Sequence, residues 1–314
     1  MLVRASIGSL AAMGLYQINV DVKPTTCYLL QYSGSGCSAG CLFCPQSSYN
    51  LSSKEFVSRV PWPPIELEAL LHNIGSGNFS RICLQTILKK DFEKEASSII
   101  RRLSEVVSNI PVSIGTTPVS EETLYEFRSL GVDFIGVGLD VASNRIFDKI
   151  KMPFKMEDFW NFIKMCVNVF NGNVFVHLIY GLGENDTEFA YTMEKVYEIG
   201  AEVALFSFTP IGGTKLEHLP QPEIERYRLM QIIRYFLSKG YKLKEVIEED
   251  GGRIKLKVNV DVHEIKGAFL TSGCPACNRP FYNERPTKVY NYPSPSLLDK
   301  EIELIGSQIR KLLA

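Results

Sequence analysis

Short apolar segments alternate with longer amphipathic segments from about Thr25 to Lys239, and this alternation constrains the fold most strongly. The apolar segments are predicted strands: Thr25 to Tyr32, Phe79 to Thr86, Ile110 to Thr116, Val132 to Asp140, Asn173 to Tyr180 and Glu202 to Phe208. The amphipathic segments are predicted helices: Pro64 to Ile74, Phe92 to Ser108, Glu121 to Leu130, Met156 to Phe170, Thr187 to Ile199 and Pro222 to Lys239. Such repetition is typical of a parallel sheet covered by helices, either doubly wound or an incomplete (β/α) barrel.

The loops after the predicted strands carry the candidate functional residues. In both architectures ligands bind at the carboxyl ends of the strands. Those ends read Gln85-Thr86, Gly138-Leu139-Asp140, Gly181-Leu182-Gly183-Glu184 and Thr209-Pro210. Glycine and polar residues are therefore predicted to gather at one rim of the sheet.

The pattern changes after Gly240. A hairpin is predicted from Lys242 to Glu249 and Arg253 to Val260, around Asp250-Gly251-Gly252. An irregular segment, SGCPACNRPFYNERP, follows at residues 272–286, and a helix is predicted from Ser296 to Leu313. We expect an N-terminal extension at 1–24, a β/α core at 25–240 and a C-terminal region at 241–314.

Charge and hydropathy limit the function classes. The 314 residues carry 34 Lys and Arg against 35 Asp and Glu, which gives no electrostatic reason to expect nucleic acid or an anionic membrane as a partner. No segment reaches the roughly 18 apolar residues of a membrane span, and the N-terminal segment is a poor signal peptide. A cytoplasmic protein is expected.

Eight cysteines occur, at positions 27, 37, 41, 44, 83, 166, 274 and 277. A reducing cytosol disfavours disulfides, so closely spaced cysteines indicate metal binding or redox chemistry. Cys37, Cys41 and Cys44 form a CxxxCxxC array in the loop after the first predicted strand. A structural zinc needs four ligands, whereas a four-iron cluster on three thiolates keeps one iron open for chemistry. The array therefore favours an iron–sulfur cluster.

The array, with Phe43 directly before its last cysteine, resembles the cluster loop of the radical S-adenosylmethionine (SAM) superfamily. The resemblance implies an α/β fold, a partial (β/α)6 TIM-type barrel, in which the open iron of a 4Fe-4S cluster binds the amino and carboxylate groups of SAM. It also implies reductive cleavage of SAM to a 5′-deoxyadenosyl radical that abstracts hydrogen from unactivated carbon. A loop zinc in an unrelated α/β enzyme would explain neither Phe43 nor the strand-end motifs.

Motifs at other strand ends extend the resemblance. HLIYGLGE, from His177 to Glu184, is similar to the fifth-strand motif that packs on the adenine, although His177 replaces its first glycine. GLD has Asp140 where related enzymes contact the ribose. LQT replaces the second-strand GGE that usually holds the methionine amino group, so that contact is unassigned. The expected cofactor-binding residues are Phe43, Gln85, Asp140, His177, Gly181 and Glu184.

Cys274 and Cys277 form a second group, in a CPAC segment. The pair is compatible with half of a structural zinc site, with a dithiol, or with two ligands of an auxiliary 4Fe-4S cluster. For the auxiliary cluster, Cys27 is the best candidate third ligand, because alternate residues of a strand face opposite sides and Cys27 can point inward. We then expect the C-terminal extension to close over the barrel.

Within the superfamily, the motif order resembles the biotin synthase and lipoyl synthase branch, whose members carry a second cluster that is consumed as a sulfur donor. Cys83 matches the first strand cysteine of biotin synthase, but Pro111 and Phe175 stand at the other two positions. The CPAC segment, with RVPWP at 59–63 and RICLQ at 81–85, resembles a subunit of the archaeal two-component lipoyl synthases. This implies sulfur insertion into a protein-bound octanoyl-lysine.

The same resemblance implies three partners: an octanoylated lipoyl carrier protein, a homologous radical SAM partner subunit and a ferredoxin-type reductant. Two alternatives stay open. One is another radical SAM enzyme, such as a biotin-synthase-like enzyme, a methylthiolase or an isomerase, with a structural C-terminal metal site. The other is a non-catalytic iron–sulfur protein with an electron-transfer or accessory role, which would have no need of the adenosine motifs. The sequence identifies no catalytic side chain.

Overall fold

The computed structural model describes residues 1–250 and 253–313, built around an eight-stranded sheet. The strands are β1 Leu2–Ala5, β2 Thr26–Gln31, β3 Gly40–Cys41, β4 Pro64–Glu66, β5 Arg81–Gln85, β6 Val112–Thr116, β7 Val132–Asp140, β8 Lys151–Met152, β9 Val174–Tyr180, β10 Glu202–Ser207, β11 Ile247–Asp250 and β12 Arg253–Leu256. The α-helices are α1 Ile7–Ala12, α2 Leu67–Asn73, α3 Phe92–Val106, α4 Glu121–Ser129, α5 Asn144–Ile150, α6 Met156–Phe170, α7 Asp186–Glu198, α8 Ile224–Ser238, α9 Leu243–Val246 and α10 Pro295–Leu313. Short 3-10 helices cover Ile74–Gly77 and Lys266–Ala268.

The main sheet has the strand order β10-β9-β7-β6-β5-β2-β1-β4. From β10 to β2 the neighbouring strands are parallel, whereas β1 is antiparallel to both β2 and β4. The parallel strands are the predicted ones, with helices between them, so the α/β prediction is confirmed. Among the described strands, no pairing joins β10 to β4, so the sheet is an open, partial barrel.

Residues 1–24, predicted only as an extension, contribute to the sheet. Val3 pairs with Gln31 of β2 and with Ile65 of β4, which makes β1 the link between them. The Ser6 side chain accepts a hydrogen bond from the Ser9 amide and thereby caps α1, a typical N-cap arrangement. The sheet therefore continues past the predicted boundary at residue 24.

Side-chain alternation along the strands decides which residues face the barrel interior. In β9, Val174, Val176 and Leu178 are fully buried against the helices, and Phe175 and His177 are half-buried on the opposite side. Successive strand residues point to opposite faces of the sheet. One face of each strand therefore packs against the helices in the core, and the other lines the barrel interior.

The C-terminal region folds back onto the barrel. β11 and β12 pair in antiparallel register, as predicted, but residues 243–246 of the predicted first arm form α9. Gly251 and Gly252 of the predicted turn lie outside the described residues. Helix α10 packs on α8, and the segment between β12 and α10 returns to the sheet, where the Leu205 amide donates to Ser272 Oγ at 2.8 Å. In the described part of the chain, every helix is too short or too polar to cross a bilayer.

Candidate active site

One cavity of about 320 Å³ inside the barrel brings the two cysteine groups together. Cys37, Cys41 and Cys44 line it from the loop that follows the carboxyl end of β2. Cys83, Cys274 and Cys277 line it too, beside residues from the first half of the strands, such as Thr26 and Ser113. The two groups therefore face a common space from different levels of the barrel.

The first cysteine loop is held by hydrogen bonds from its own residues. The Asn50 side-chain amide donates to the carbonyls of Cys41, at 3.1 Å, and Cys44, at 2.8 Å. The Lys54 ammonium donates to the carbonyls of Pro45, Ser47 and Asn50 at 2.6 to 3.0 Å. Sequence reasoning missed Asn50 and Lys54, because neither belongs to a recognisable motif.

The donor set of this loop fits an iron–sulfur cluster. In the described residues no three His, Cys, Asp or Glu side chains converge on one metal ion. A four-iron cluster instead takes one thiolate per iron, so its ligands need only face one space, as these three do. Burial raises the pKa of Cys41 to about 11 although the Lys151 charge opposes it, and burial reinforced by the Cys41 and Cys37 thiols raises the pKa of Cys44 to about 12. Iron would therefore have to displace protons from these thiols on binding.

Lys151 and Asp140 form a buried ion pair beside this loop. β8 pairs with β3, with Lys151 opposite Cys41, so the sheet places the ammonium next to the cysteine. The ammonium donates to the Asp140 carboxylate and to the Gly138 carbonyl. Burial lowers the pKa of Lys151, but Asp140 and Cys41 outweigh it and raise the pKa overall. Lys151 was not predicted, since a lone lysine between a helix and a turn carries no signal.

Four predicted cofactor residues line the cavity: Phe43, Gln85, Asp140 and His177. The Gln85 amide nitrogen donates to Cys83 Sγ at 2.9 Å, and its side chain packs so closely on Gly115 that a Cβ there would lie 2.4 Å from Gln85 Oε1. His177 packs edge-on against Phe206, with ring centroids 5.3 Å apart. Burial lowers the pKa of His177 to about 4, so the imidazole is neutral at pH 7.

Gly181 and Glu184, predicted to bind the cofactor, shape the turn between β9 and α7. The Glu184 carboxylate accepts hydrogen bonds from the amides of Gly181, at 2.6 Å, and Leu182, at 3.0 Å. Gly181 has φ +106°, and a Cβ there would lie 3.0 Å from Pro222. Both residues fall outside the set that lines the cavity. The GLGE motif therefore fixes the backbone of the turn that follows β9.

Cys27, predicted to join Cys274 and Cys277, lies outside the set of residues that lines their cavity. Cys27 is fully buried in the core on the helix-facing side of β2, and burial raises the pKa of its thiol to about 12. Strand alternation sends Tyr28, not Cys27, into the cavity. In the sheet register Tyr28 pairs with Cys83, which therefore faces the same side.

Cys83 is the third thiol of the second group. It lines the cavity with Cys274 and Cys277, and Ser113, its register partner in β6, lies beside both Cys83 and Cys274. Burial raises the pKa of Cys83 to about 11 and also raises that of Cys274. The facing of Cys83 follows from the alternation of side chains along β5 together with the pairing register of β5 with β2. The sequence of one strand alone does not reveal that register.

The CPAC segment is fastened to the strands at their amino ends. Thr26 Oγ1 donates to the Ala276 carbonyl at 2.9 Å, and Arg81 Nε donates to the Pro275 carbonyl at 2.9 Å. The same guanidinium makes a bidentate ion pair with Asp133, at 2.5 and 2.8 Å. These bonds hold the two cysteine sulfurs at the cavity wall.

Arg279 places a cation beside the second group. Its guanidinium lies 3.5 Å from Cys277 Sγ, donates to the Ser272 carbonyl at 2.8 Å and stacks 4.0 Å from the Phe206 ring centroid. The Arg279 amide donates to the Tyr28 hydroxyl at 2.9 Å. The guanidinium therefore places a positive charge directly against the Cys277 sulfur.

An apolar wall connects the two groups. It consists of Tyr28, Leu30, Trp62, Ile87 and Tyr282, which pack together and against Cys37, Cys83 and Cys277. The Tyr28 and Tyr282 rings are 5.1 Å apart between centroids, and those of Trp62 and Tyr282 are 6.0 Å apart. Such a wall suits a hydrocarbon group lying between the cysteine groups.

Comparison with protein families decides the affiliation. The Radical SAM superfamily model matches residues 32–196, more than half of the chain. The chain belongs to the radical SAM superfamily. It is 24% identical over 222 residues to a biotin synthase of Endomicrobium trichonymphae, covering 69% of this chain and 67% of the relative. It is 20% identical over 244 residues to a lipoyl synthase of Picrophilus torridus, covering 75% and 79%.

Other similar proteins agree with the fold. An uncharacterized protein of Methanocaldococcus jannaschii is 26% identical over 149 residues, which span 45% of this chain and only 39% of the relative. The crystal structure of methylornithine synthase (PylB) superposes with a TM-score of 0.51 at 14% identity, covering 73% of this chain and 77% of that one. Radical SAM membership implies a 4Fe-4S cluster and SAM, and the residues Cys37, Cys41 and Cys44 fit that cluster.

Proposed function

We propose that this chain is a component of a lipoyl synthase, which inserts sulfur into a protein-bound octanoyl-lysine. The observation that carries the proposal is the single cavity that both cysteine groups face, joined by the apolar wall. Sulfur insertion needs a hydrogen-abstracting centre and a sulfur source that reach the same carbon. Two thiol groups on one apolar cavity meet that requirement.

Cys37, Cys41 and Cys44 would hold the SAM-binding cluster. When bound, this group supplies the electron that cleaves SAM and yields a 5′-deoxyadenosyl radical. Asp140, oriented by Lys151, is suited to accept hydrogen bonds from ribose hydroxyls, because its side chain lines the cavity and is fixed by the Lys151 ammonium. Phe43 contributes a flat apolar surface beside the loop.

Cys83, Cys274 and Cys277 would hold the sacrificial auxiliary cluster. Three cavity-facing thiols from two distant parts of the chain match the number of cysteines in the first group. Arg279, against Cys277, is the candidate for the remaining ligand or for stabilising the negative charge of the thiolates. Similarity to a biotin synthase and to a lipoyl synthase supports this assignment, because members of that branch carry a second cluster.

The substrate would lie along the apolar wall. An octanoyl chain offers no polar atom along its length, so it is recognised by burial of methylene groups, each worth about 0.8 kcal/mol. Tyr28, Trp62 and Tyr282 provide rigid apolar surface between the two groups. We propose an octanoylated lipoyl carrier protein, a homologous radical SAM subunit and a ferredoxin-type reductant as partners.

The test is an anaerobic reaction. The iron-reconstituted protein, its homologous partner subunit, SAM, a reductant and an octanoyl-lysine peptide are combined, and the peptide mass is measured. We expect sulfur-bearing peptide from the wild type, and 5′-deoxyadenosine without sulfur transfer from Cys274→Ala. Formation of 5′-deoxyadenosine without sulfur-bearing peptide in the wild type would contradict the proposal.

A further inference from the structure

A second cavity, of about 370 Å³, lies on the outer side of the CPAC segment. Gly273, Cys274 and Cys277 line both this outer groove and the inner cavity. A single stretch of chain therefore separates the inner cavity from the outer groove at the second cysteine group. No such sharing occurs for Cys37, Cys41 and Cys44, which border the inner cavity but are absent from the lining of the outer groove.

The segment that separates the inner cavity from the outer groove has no side chain at Gly273. Its backbone has φ +150°, and a Cβ placed there would lie 3.3 Å from Cys277 Sγ and 3.2 Å from Arg279 Nη1. Because glycine has no side chain, Gly273 contributes only backbone to this wall, next to the Cys277 sulfur and the Arg279 guanidinium. Pro275 and Ala276, the two residues between the cysteines, are exposed.

The outer groove has a mixed polar and apolar lining. Thr25, Thr271, Asn278 and Ser294 contribute to it beside the CPAC segment and Leu270, Tyr292, Pro293 and Pro295. The Thr25 and Thr271 hydroxyls donate to backbone carbonyls, and Asn278 Oδ1 accepts from the Thr25 amide, so these polar groups are already paired within the protein. The inner cavity, in contrast, has the apolar wall described above.

We infer that the sulfurs of Cys274 and Cys277 are reached from the outer groove by small solutes, hydrosulfide in particular, independently of the SAM side of the cavity. The inference rests on the proposed function, in which the group held by these cysteines is consumed and must be replaced. Sulfide could then be supplied while SAM occupies the inner cavity. Passage through the outer groove only brings sulfide to this site, and it transfers no electrons.

The test measures access to each cysteine. Anaerobic, iron-loaded protein is treated with iodoacetamide and a ferrous chelator, with and without saturating SAM and in the absence of reductant. Carboxamidomethylated peptides are quantified over time. We expect SAM to slow labelling of Cys37, Cys41 and Cys44 about tenfold and to leave the rate for Cys274 and Cys277 unchanged, since thiol reactivity follows access. Equal protection of both groups by SAM would overturn the inference.

A variant pair tests the groove directly. Thr25 lines the groove but not the inner cavity, and its amide is fixed by Asn278. Thr25→Tyr adds a ring to the groove and should slow labelling of Cys274 and Cys277 about fivefold, whereas the matched Thr25→Val should not slow it. Wild-type labelling rates in Thr25→Tyr would overturn the inference. The fully buried Cys27 and Cys166 serve as internal reporters of unfolding.

Iron counting on the same samples separates this inference from the proposed function. Two clusters per chain together with SAM-dependent labelling of Cys274 would reject the outer route and leave the function standing. One cluster per chain together with SAM-independent labelling would reject the auxiliary cluster and support the route.

Discussion

The two cysteine groups of the cavity are assembled in different ways. Asn50 and Lys54, which fix the first loop, lie within ten residues of the carbonyls they hold. The CPAC segment is fixed by Arg81 and Thr26, which are 194 and 250 positions away from the carbonyls they contact. The first group is thus a local structure, and the second exists only when the chain ends have come together, at the entropic cost of closing a long loop.

The largest effect is expected where the local group loses a ligand. Cys41→Ala should reduce 5′-deoxyadenosine formation at least about 100-fold, because even the loss of groups that support a metal ligand costs about 10–100-fold. Iron bound by the second group should remain. Quantification of 5′-deoxyadenosine and of iron checks this. Retained SAM cleavage would show that the first group does not bind the cluster.

Arg81→Gln tests the long-range group. It removes a buried guanidinium that binds both Asp133 and the Pro275 carbonyl. We expect the free energy of unfolding to fall by about 2 kcal/mol, less than for a fully buried pair because the Asp133 side chain is 37% exposed. Denaturant unfolding and iron content measure the effect, which should include loss of iron from the second group only.

Asp133→Asn is the matched control for Arg81→Gln. It breaks the ion pair but leaves the bond from Arg81 Nε to the Pro275 carbonyl in place. It should therefore lower stability while keeping the iron of the second group. If both variants lose that iron equally, the ion pair rather than the contact to Pro275 organises the CPAC segment.

Lys151→Met sharpens the account of the first group. The ammonium holds the Asp140 carboxylate in the cavity, so its removal should raise the KM for SAM about tenfold, the value of one charge-assisted hydrogen bond. Lys151→Arg, which keeps the charge, should have a smaller effect. A fall in kcat with unchanged KM would contradict a role in positioning Asp140.

The smallest expected effect concerns pH. In the folded chain burial lowers the pKa of His177 to about 4 from the ordinary 6.5. Between these values the unfolded chain binds a proton that the folded chain does not, so stability falls as pH falls. His177→Gln should therefore lose about 1–2 kcal/mol less stability than the wild type between pH 7 and pH 5. Equal losses in thermal unfolding would show that His177 does not contribute.

The sequence was sufficient for what depends on local periodicity. The six parallel strands and the helices α2, α3, α4, α6, α7 and α8 were predicted within two residues at nearly every end, since each carries its own apolar pattern, whereas α5 was not predicted. The first cysteine group was recognisable because its ligands are close in sequence. β1 was missed, since Leu2–Ala5 is too short for a pattern and is defined by its pairing with β2 and β4.

The second group could not be predicted in full. It depends on the register between β2 and β5 and on the packing of the distant CPAC segment against the strands. Alternation within β2 allowed either Cys27 or Tyr28 to face inward, and only packing against α1 and the core decides between them. Cys83 became the third thiol through its register with Tyr28. Lys151 reached Asp140 through the pairing of β3 with β8, two strands of two residues each.

The central claim is that Cys83, and not Cys27, completes a second iron site with Cys274 and Cys277. The direct measurement is iron per chain in anaerobically reconstituted wild type, Cys83→Ala and Cys27→Ala. The account predicts about eight irons in the wild type and in Cys27→Ala, and about four in Cys83→Ala, because each cubane holds four. About four irons in the wild type, or loss of iron in Cys27→Ala with retention in Cys83→Ala, would contradict it.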